Sequence, residues 1–389
     1  MSPTYAVLGA GRQGTAAAYD LARWGEASRV VLADTDLETA QRAAQRVNHL
    51  LGTDIAEAVQ LDVTDLPSVE RALSGVDAFL SAVPYYYNLG LTQVAIRVKA
   101  HMCDLGGHTG IARQQHGFDA EARSAGISIV PNCGQVPGMG TTLMVYAMEL
   151  LDEPVDVYMW DGGIPENPRP PFNYLLSFNI AGLTNEYAEP AIFLRDWKVT
   201  EVETMTELET VEFPEPIGTL EAFVAGGGTD TMPWTFEGRL RTLQNKTLRH
   251  PGNFAQLRAF YDLGLWDLAP LKVGQTEVVP RDVFHALFEP RVTFPEDKDV
   301  VIVRVKTLGK KDGQEAEATV EVIDRPDEET GFTAMERCTG WSAAIVAEMM
   351  ARGQIPPGAG GVETKVPAPP FVEQLRQRGI EVTEQVTVK

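Results

Sequence analysis

Tyr5-Ala6-Val7-Leu8-Gly9-Ala10-Gly11-Arg12-Gln13-Gly14, running into Thr15–Trp24, decides the reading of the whole chain. A short apolar run is followed by Gly-x-Gly-x-x-Gly and then by a helix-like segment, which is the required context for a dinucleotide fingerprint. Gly9 permits the tight turn, Gly11 lets the backbone approach a pyrophosphate, and Gly14 lets helix and strand pack closely. The first turn of the helix, with Arg12 and Gln13, offers free N–H groups and a positive dipole end to the phosphates. Asp34 ends the second apolar run, 20 residues past Gly14. A carboxylate there accepts hydrogen bonds from both ribose hydroxyls and repels a 2′-phosphate, which favours NAD over NADP. Arg12 pulls the other way, since an arginine near the ribose suits a 2′-phosphate.

Outward from this motif the first 135 residues keep the same rhythm. Apolar runs at Tyr5–Leu8, Arg29–Ala33, Ala58–Leu61, Ala78–Val83, His101–Leu105 and Ser128–Val130 alternate with helix-like Thr15–Trp24, Leu37–Leu51, Pro67–Leu73, Leu89–Lys99 and Ile111–Ala125. Alternation at this spacing predicts a doubly wound parallel sheet, a Rossmann domain. The runs are apolar on consecutive residues, as strands covered on both faces should be. Ligands of such sheets bind beyond the carboxyl ends of the strands. Asp62 and Val63 are therefore placed at the adenine, Val83 and Pro84 where the nicotinamide ribose passes, and Tyr85, Asp104, Gly106 and His108 beside the reacting groups. Asp104 either orients an amine or caps the Gly106-Gly107 turn; His108 lies in the same loop.

From Gly138 the texture changes to one long helix, Gly138–Leu151, then proline-rich turns and mixed strands at Val155–Trp160, Lys198–Val202, Val300–Lys306 and Glu317–Ile323. Lys310-Lys311-Asp312-Gly313 reads as a hairpin turn. The expected organisation is a dinucleotide-binding domain at 1–135, an α+β domain for substrate and dimerisation at 136–337, and a C-terminal segment at 338–389 that returns to the Rossmann domain through a helix at Gly340–Gln354.

The residues also resemble a known family. Val83-Pro84-Tyr85, Asp104-Leu105-Gly106-Gly107, Asn132-Cys133-Gly134 and Pro137-Gly138-Met139 follow the order of saccharopine dehydrogenase-like proteins. Gly182-Leu183-Thr184-Asn185-Glu186-Tyr187 and Lys246-Thr247-Leu248-Arg249-His250-Pro251-Gly252 are similar to the lysine 6-dehydrogenase branch, with His250 and Asn253 departing from its pattern. The resemblance implies oxidation at a carbon–nitrogen bond with hydride passing to NAD. For lysine, imine hydrolysis then releases ammonia and 2-aminoadipate semialdehyde. It further implies Asp104, His108 and Tyr85 as catalytic candidates. For substrate binding it implies Tyr85, Gly106, Gln135, Thr229, Thr231, Lys246, Arg249 and His250, with Lys246 or Arg249 gripping an α-carboxylate. A homodimer built on a sheet of the second domain is also expected. Saccharopine or a carboxylated polyamine as substrate, and a non-catalytic NAD-binding redox sensor, are the competing readings.

Composition narrows the field. With 33 basic and 54 acidic side chains the net charge is −21, a surface that repels phosphate backbones and anionic lipid, so neither nucleic acid nor a membrane is expected as partner. Three cysteines without a CxxC pair give no zinc motif or disulfide framework. Nowhere do about 18 apolar residues run together. A cytoplasmic location and a small amino-acid substrate complete the expectation.

Overall fold

The computed structural model describes residues 2–389. Its N-terminal part is built from β1 (Thr4–Leu8), α1 (Arg12–Trp24), β2 (Arg29–Asp34), α2 (Leu37–Leu51), β3 (Ala56–Gln60), α3 (Leu66–Ala72), β4 (Ala78–Ser81), α4 (Asn88–Val98), β5 (His101–Asp104), α5 (Thr109–His116), α6 (Asp119–Ala125) and β6 (Ser128–Val130). Local chemistry sets several of these boundaries. Asp36 accepts from the amides of Glu38 and Thr39 to start α2, and left-handed Gly52 ends it. The stretch Ile111–Ala125 was expected as one helix and is two, because the chain turns at Gly117, where the helix propensity is lowest.

After α7 (Met139–Glu149) and β7 (Glu153–Pro165) come α8 (Ile180–Ala188), β8 (Ala191–Arg195), β9 (Lys198–Val202), β10 (Glu209–Glu212), β11 (Thr219–Val224), α9 (Met232–Thr235), β12 (Thr242–Arg249) and α10 (Asn253–Asp262). A small hairpin, β13 (Leu271–Val273) and β14 (Thr276–Val278), precedes α11 (Pro280–Val292). The long antiparallel pair β15 (Asp299–Lys311) and β16 (Gln314–Asp324) follows. Its turn residues Asp312 and Gly313 both have positive φ, 53° and 76°, as a type I′ turn requires. The chain closes with α12 (Ala334–Glu336), α13 (Ser342–Ala351), β17 (Gly358–Ala359), α14 (Val362–Lys365), α15 (Ala368–Gln377) and β18 (Val382–Val388).

The first sheet is parallel throughout, in the order β17-β6-β5-β4-β1-β2-β3. The second runs β10-β11-β12-β7-β15-β16-β18, with β8 and β9 appended to β12, and is antiparallel except for the β12–β7 pair. The C-terminal segment is therefore shared. Its helix α13 packs on β4, β5 and α1 and its strand β17 extends the first sheet, as the expected return to the Rossmann domain requires, but β18 leaves to pair with β16.

One apolar core spans both halves. It runs from Tyr5, Val7 and Leu21 through Ile345 and Met349 of α13 and Leu143 of α7 to Val303, Val305, Val320 and Val322 of the second sheet. A separate aromatic cluster, including Tyr187, Trp266, Phe284 and Phe288, gathers α8 and α11 into a cap at the edge of the second sheet.

At the centre of the shared core lies an ion triad. Arg378, fully buried, donates to Asp20 of α1 at 2.7 and 3.0 Å and to Glu348 of α13 at 2.6 Å. Removing Arg378 strands buried Asp20 with neither water nor an ion-pair partner, while Glu348 keeps Arg352. Arg378→Ala is expected to cost about 3–5 kcal/mol, read as a lowered urea midpoint. A loss under about 1 kcal/mol, the range of exposed ion pairs, would show that the triad does not hold the two ends together.

Candidate nucleotide and substrate site

The fingerprint loop is closed by contacts that only glycine allows. Gly9 has φ +100°, and a Cβ there would stand 2.7 Å from the Ala82 carbonyl oxygen; a Cβ on Gly14 would stand 1.9 Å from that of Gly9. A Cβ on Gly11 would meet nothing within 4 Å, leaving open space where the backbone is to meet phosphate. Beside it, both the nitrogen and the oxygen of the Gln13 carboxamide are buried without a partner, a cost that a bound polar group would relieve. Asp34 stands at the lip, where its Oδ2 accepts from Ala10 N at 2.9 Å and its Oδ1 from Asp36 N at 3.0 Å. Arg12 is turned toward the C-terminal segment, donating from Nε to buried Glu336 at 2.7 Å. These residues fit a pyridine dinucleotide. Asp62 closes its own turn on Thr64, with Val63 buried next to it, and Val83-Pro84 lead from β4 into a single helical turn at Tyr85–Tyr87.

At the rim, Asp104 is spent on the loop it was expected to serve. Its Oδ1 accepts from Gly106 N and Asn132 N, and its Oδ2 from Gln115 Nε2, all at 2.9 Å. Burial pushes its carboxyl up, and these three donors pull it back. Of the two readings of Asp104, this geometry is that of the turn cap. Tyr85 and His108 stack with ring centroids 5.3 Å apart, and His108 Nδ1 accepts from Ile111 N at 3.3 Å, which starts α5.

The expected substrate residues divide by strand parity. Successive side chains of a strand point to opposite faces, so Asn245, Thr247 and Arg249 of β12 share one face while Lys246 and Leu248 share the other. Lys246 donates to the Glu207 carbonyl at 2.8 Å and pairs with Glu207 and Glu209 at 3.5 and 3.4 Å. It is on the far side of the sheet and corrects the expectation that it grips substrate. His250 continues that far face and is held by the Pro165 carbonyl at 2.9 Å. Thr229 donates to the Ile192 carbonyl and Thr231 to Glu363, so neither hydroxyl proton is free. Thr229 ties the loop before α9 to β8 and Thr231 ties it to α14, in place of the substrate contact expected of them.

Arg249 and Gln135 belong to a buried polar cluster. Arg249 donates from Nε to Tyr187 Oη at 2.9 Å and from Nη1 to the Leu248 carbonyl at 2.8 Å, and lies over the Tyr174 ring at 5.4 Å. Its Nη2 makes no hydrogen bond and has Glu186 Oε2 at 3.9 Å. Gln135 Nε2 reaches Asp161 Oδ2 at 3.4 Å. Burial pushes the Asp161 carboxyl up to about 6, against the pull of the Asn245 amide and the Arg249 charge. Burial likewise pushes Glu186 up to about 8; Arg249 lowers it and Asp161 raises it. Burial dominates Glu186, yet 34% of its side chain remains reachable by water, so it lines a cleft and not solid core. Glu186, Asp161, Asn245 and Tyr174 were not singled out from the sequence. Glu186 lies within the Gly182–Tyr187 run, and parity along β12 would have selected Asn245 with Arg249.

Among the described residues no helix is long and apolar enough to cross a membrane, and no group of three or more His, Cys, Asp or Glu is arranged to hold a metal ion.

Comparison with known proteins agrees with this two-part construction. The family description "Saccharopine dehydrogenase NADP binding domain" matches residues 5–130, and "Saccharopine dehydrogenase C-terminal domain" matches residues 134–380. A saccharopine dehydrogenase [NADP(+), L-glutamate-forming] from Pyricularia oryzae is 24% identical over 72% of this chain, and the protein of that name from Saccharomyces cerevisiae is 24% identical over 60%. The chain spans 66% and 53% of those relatives' own lengths. The solved apo saccharopine dehydrogenase (L-Glu forming) from S. cerevisiae superposes with TM-score 0.78 at 19% identity, over 99% of this chain and all of that one. Homospermidine synthase from Legionella pneumophila, solved with NAD, superposes with TM-score 0.67 at 11% identity, over all of this chain and 92% of that one. Matched in order along both domains, and sharing their architecture, the chain belongs to the saccharopine dehydrogenase family of oxidoreductases.

Proposed function

We propose that the protein is an NAD-dependent dehydrogenase that oxidises the terminal carbon–nitrogen bond of L-lysine, giving 2-aminoadipate 6-semialdehyde and ammonia after hydrolysis of the imine. The observation that carries this reading is Arg249, a desolvated guanidinium with Nη2 free, in a cluster whose other charged members are both acids. One cation suits one carboxylate. A substrate with further carboxylates, as saccharopine has, would bring them against Glu186 and Asp161, where like charges repel.

When bound, a nicotinamide coenzyme supplies the hydride acceptor. The chain's own residues then have three tasks. Arg249 orients the α-carboxylate through the charge-assisted N–H donors of its free Nη2. The Tyr85–His108 stack shields the rim beyond β4 and β5 from water. The reacting amine must be neutral, because its lone pair drives loss of hydride from the adjacent carbon. For the coenzyme, Asp34 at the lip favours a free ribose hydroxyl over a 2′-phosphate. This reading departs from the NADP in the names of the family domain and of the relatives, and rests on that carboxylate.

A homodimer through the far face of the second sheet is part of the proposal. A groove of about 590 Å³ between Trp160, Glu209, Arg304 and Glu321 lies on that face, and isologous pairs are the commonest oligomers. Light scattering that gives a monomer at micromolar concentration would overturn it.

The unmutated protein is expected to show a higher kcat/KM with NAD than with NADP, and Asp34→Ala to erode the difference. Equal or better use of NADP would sink the coenzyme reading. With lysine, NADH formation should rise with pH toward the amine's own range near about 10.4. Arg249→Ala should cost about 2–5 kcal/mol in kcat/KM, and far less if the guanidinium never meets substrate. No NADH from lysine at alkaline pH, with NADH from saccharopine or a polyamine, would remove the lysine assignment.

A further inference from the structure

The cleft beside Arg249 contains more acceptors than the protein satisfies. The Glu186 carboxylate receives no hydrogen bond from any described residue, and its nearest cation is 3.9 Å away. Asp161, 8% exposed, has a long hydrogen bond from Gln135 at 3.4 Å, the Asn245 amide beside it and, among the described residues, no cation within ion-pair distance. Asn245, 3% exposed and on the Arg249 face of β12, has its carboxamide oxygen buried with no donor at all. It cannot swing away freely, for its amide nitrogen is wedged against Gly228, where a Cβ would stand only 2.0 Å off. Asp161 of β7 pairs with Thr247 in the parallel β12–β7 register and so shares the face of Asn245 and Arg249, and Glu186 comes from α8 beside them. Three elements thus converge on one place with more oxygen acceptors than the protein supplies hydrogens for.

We propose that Glu186, Asp161 and the Asn245 carboxamide oxygen form a binding site for a primary ammonium, and that with Arg249 they hold the α-amino-acid head group of the substrate. The inference rests on the amino-acid reading above and adds which end of the substrate is gripped and by which atoms. An ammonium has three N–H donors and no acceptor, the complement of three acceptor groups that the protein leaves short of donors. Charge points the same way at each end of the head group: the ammonium lies beside two acids and the carboxylate beside one arginine. With no cation present, burial raises both carboxyls toward their protonated forms. The carboxylate of the head group meets Arg249 Nη2, the one nitrogen of that guanidinium without a hydrogen bond. The side-chain amine is then the end left to reach the rim at Tyr85 and His108.

Three probes separate the two arms: L-lysine, 6-aminohexanoate, which lacks the α-ammonium, and 1,5-diaminopentane, which lacks the carboxylate. Each is titrated calorimetrically into the full-length protein saturated with NADH. Glu186→Gln, and independently Asp161→Asn, should weaken L-lysine by about tenfold or more, the worth of a charge-assisted hydrogen bond, and leave 6-aminohexanoate within about twofold. Arg249→Met should weaken 6-aminohexanoate and spare 1,5-diaminopentane. Retained NADH binding with an unchanged Kd reports that each variant is folded. If L-lysine binds with this pattern but forms no NADH with NAD, the lysine dehydrogenase reading fails and the head-group site stands. If L-lysine does not bind, or if both acid variants weaken L-lysine and 6-aminohexanoate alike, the head-group assignment is overturned.

Discussion

The nucleotide site of this chain is assembled from its two ends, and one buried arginine joins them. Arg378 binds Asp20 of the fingerprint helix and Glu348 of α13 at hydrogen-bond distance, with all three groups out of water. Such a triad tolerates no partial assembly, so it fixes α13 across α1. The wide turn at Arg337–Trp341, just before α13, then brings Gly340 against the first turn of α1. A Cβ at Gly340 would stand 2.7 Å from the Gln13 carbonyl oxygen. That approach puts Glu336 within reach of Arg12, 324 positions away. The direction in which a fingerprint arginine points is thus decided by a core contact far from the loop itself.

What was legible in the sequence was what local periodicity encodes. The glycine spacing, the acid at the end of β2 and the alternating runs place six of the seven strands of the first sheet to within two residues, because a doubly covered parallel strand is apolar whatever its neighbours are; β17, two residues long, carries no such run. The hairpin at Asp312-Gly313 was legible for the same reason, since the turn needs positive φ at both central residues. The break at Gly117 and the departure of β18 were not. The first depends on one residue within a helical pattern, and the second on an edge of β16 that only the folded second sheet offers.

The polar cluster was hidden because β12 does not look like a strand. Thr242–Arg249 reads Thr-Leu-Gln-Asn-Lys-Thr-Leu-Arg, yet seven of its eight residues are buried. No apolar alternation marks it, and without a strand there is no parity to separate Lys246 from Arg249. The rule that polar residues avoid cores fails here, and such local failures concentrate where a site is built. Most of these buried groups are satisfied by protein. Lys246 has the Glu207 carbonyl and two acids, and Arg249 has Tyr187 and a carbonyl. Asn245 keeps an oxygen with none.

Two buried arginines in this protein each have two acids beside them, in opposite geometry. Around Arg378 the nitrogen–oxygen distances are 2.6–3.0 Å and both acids are directly paired. Around Arg249 the nearest acid oxygen is 3.9 Å from the guanidinium, and neither carboxylate hydrogen-bonds to it. Desolvating three charges is costly in both places, and only the first arrangement recovers the cost from its own contacts. If the second served stability alone, closing the Glu186 gap by an ångström would serve it better, and the cleft that leaves a third of that side chain open to water would have no reason to persist. An open, desolvated array of one donor fork and several bare acceptors is what a zwitterionic head group would complete, contributing the carboxylate and the ammonium that the protein itself leaves out.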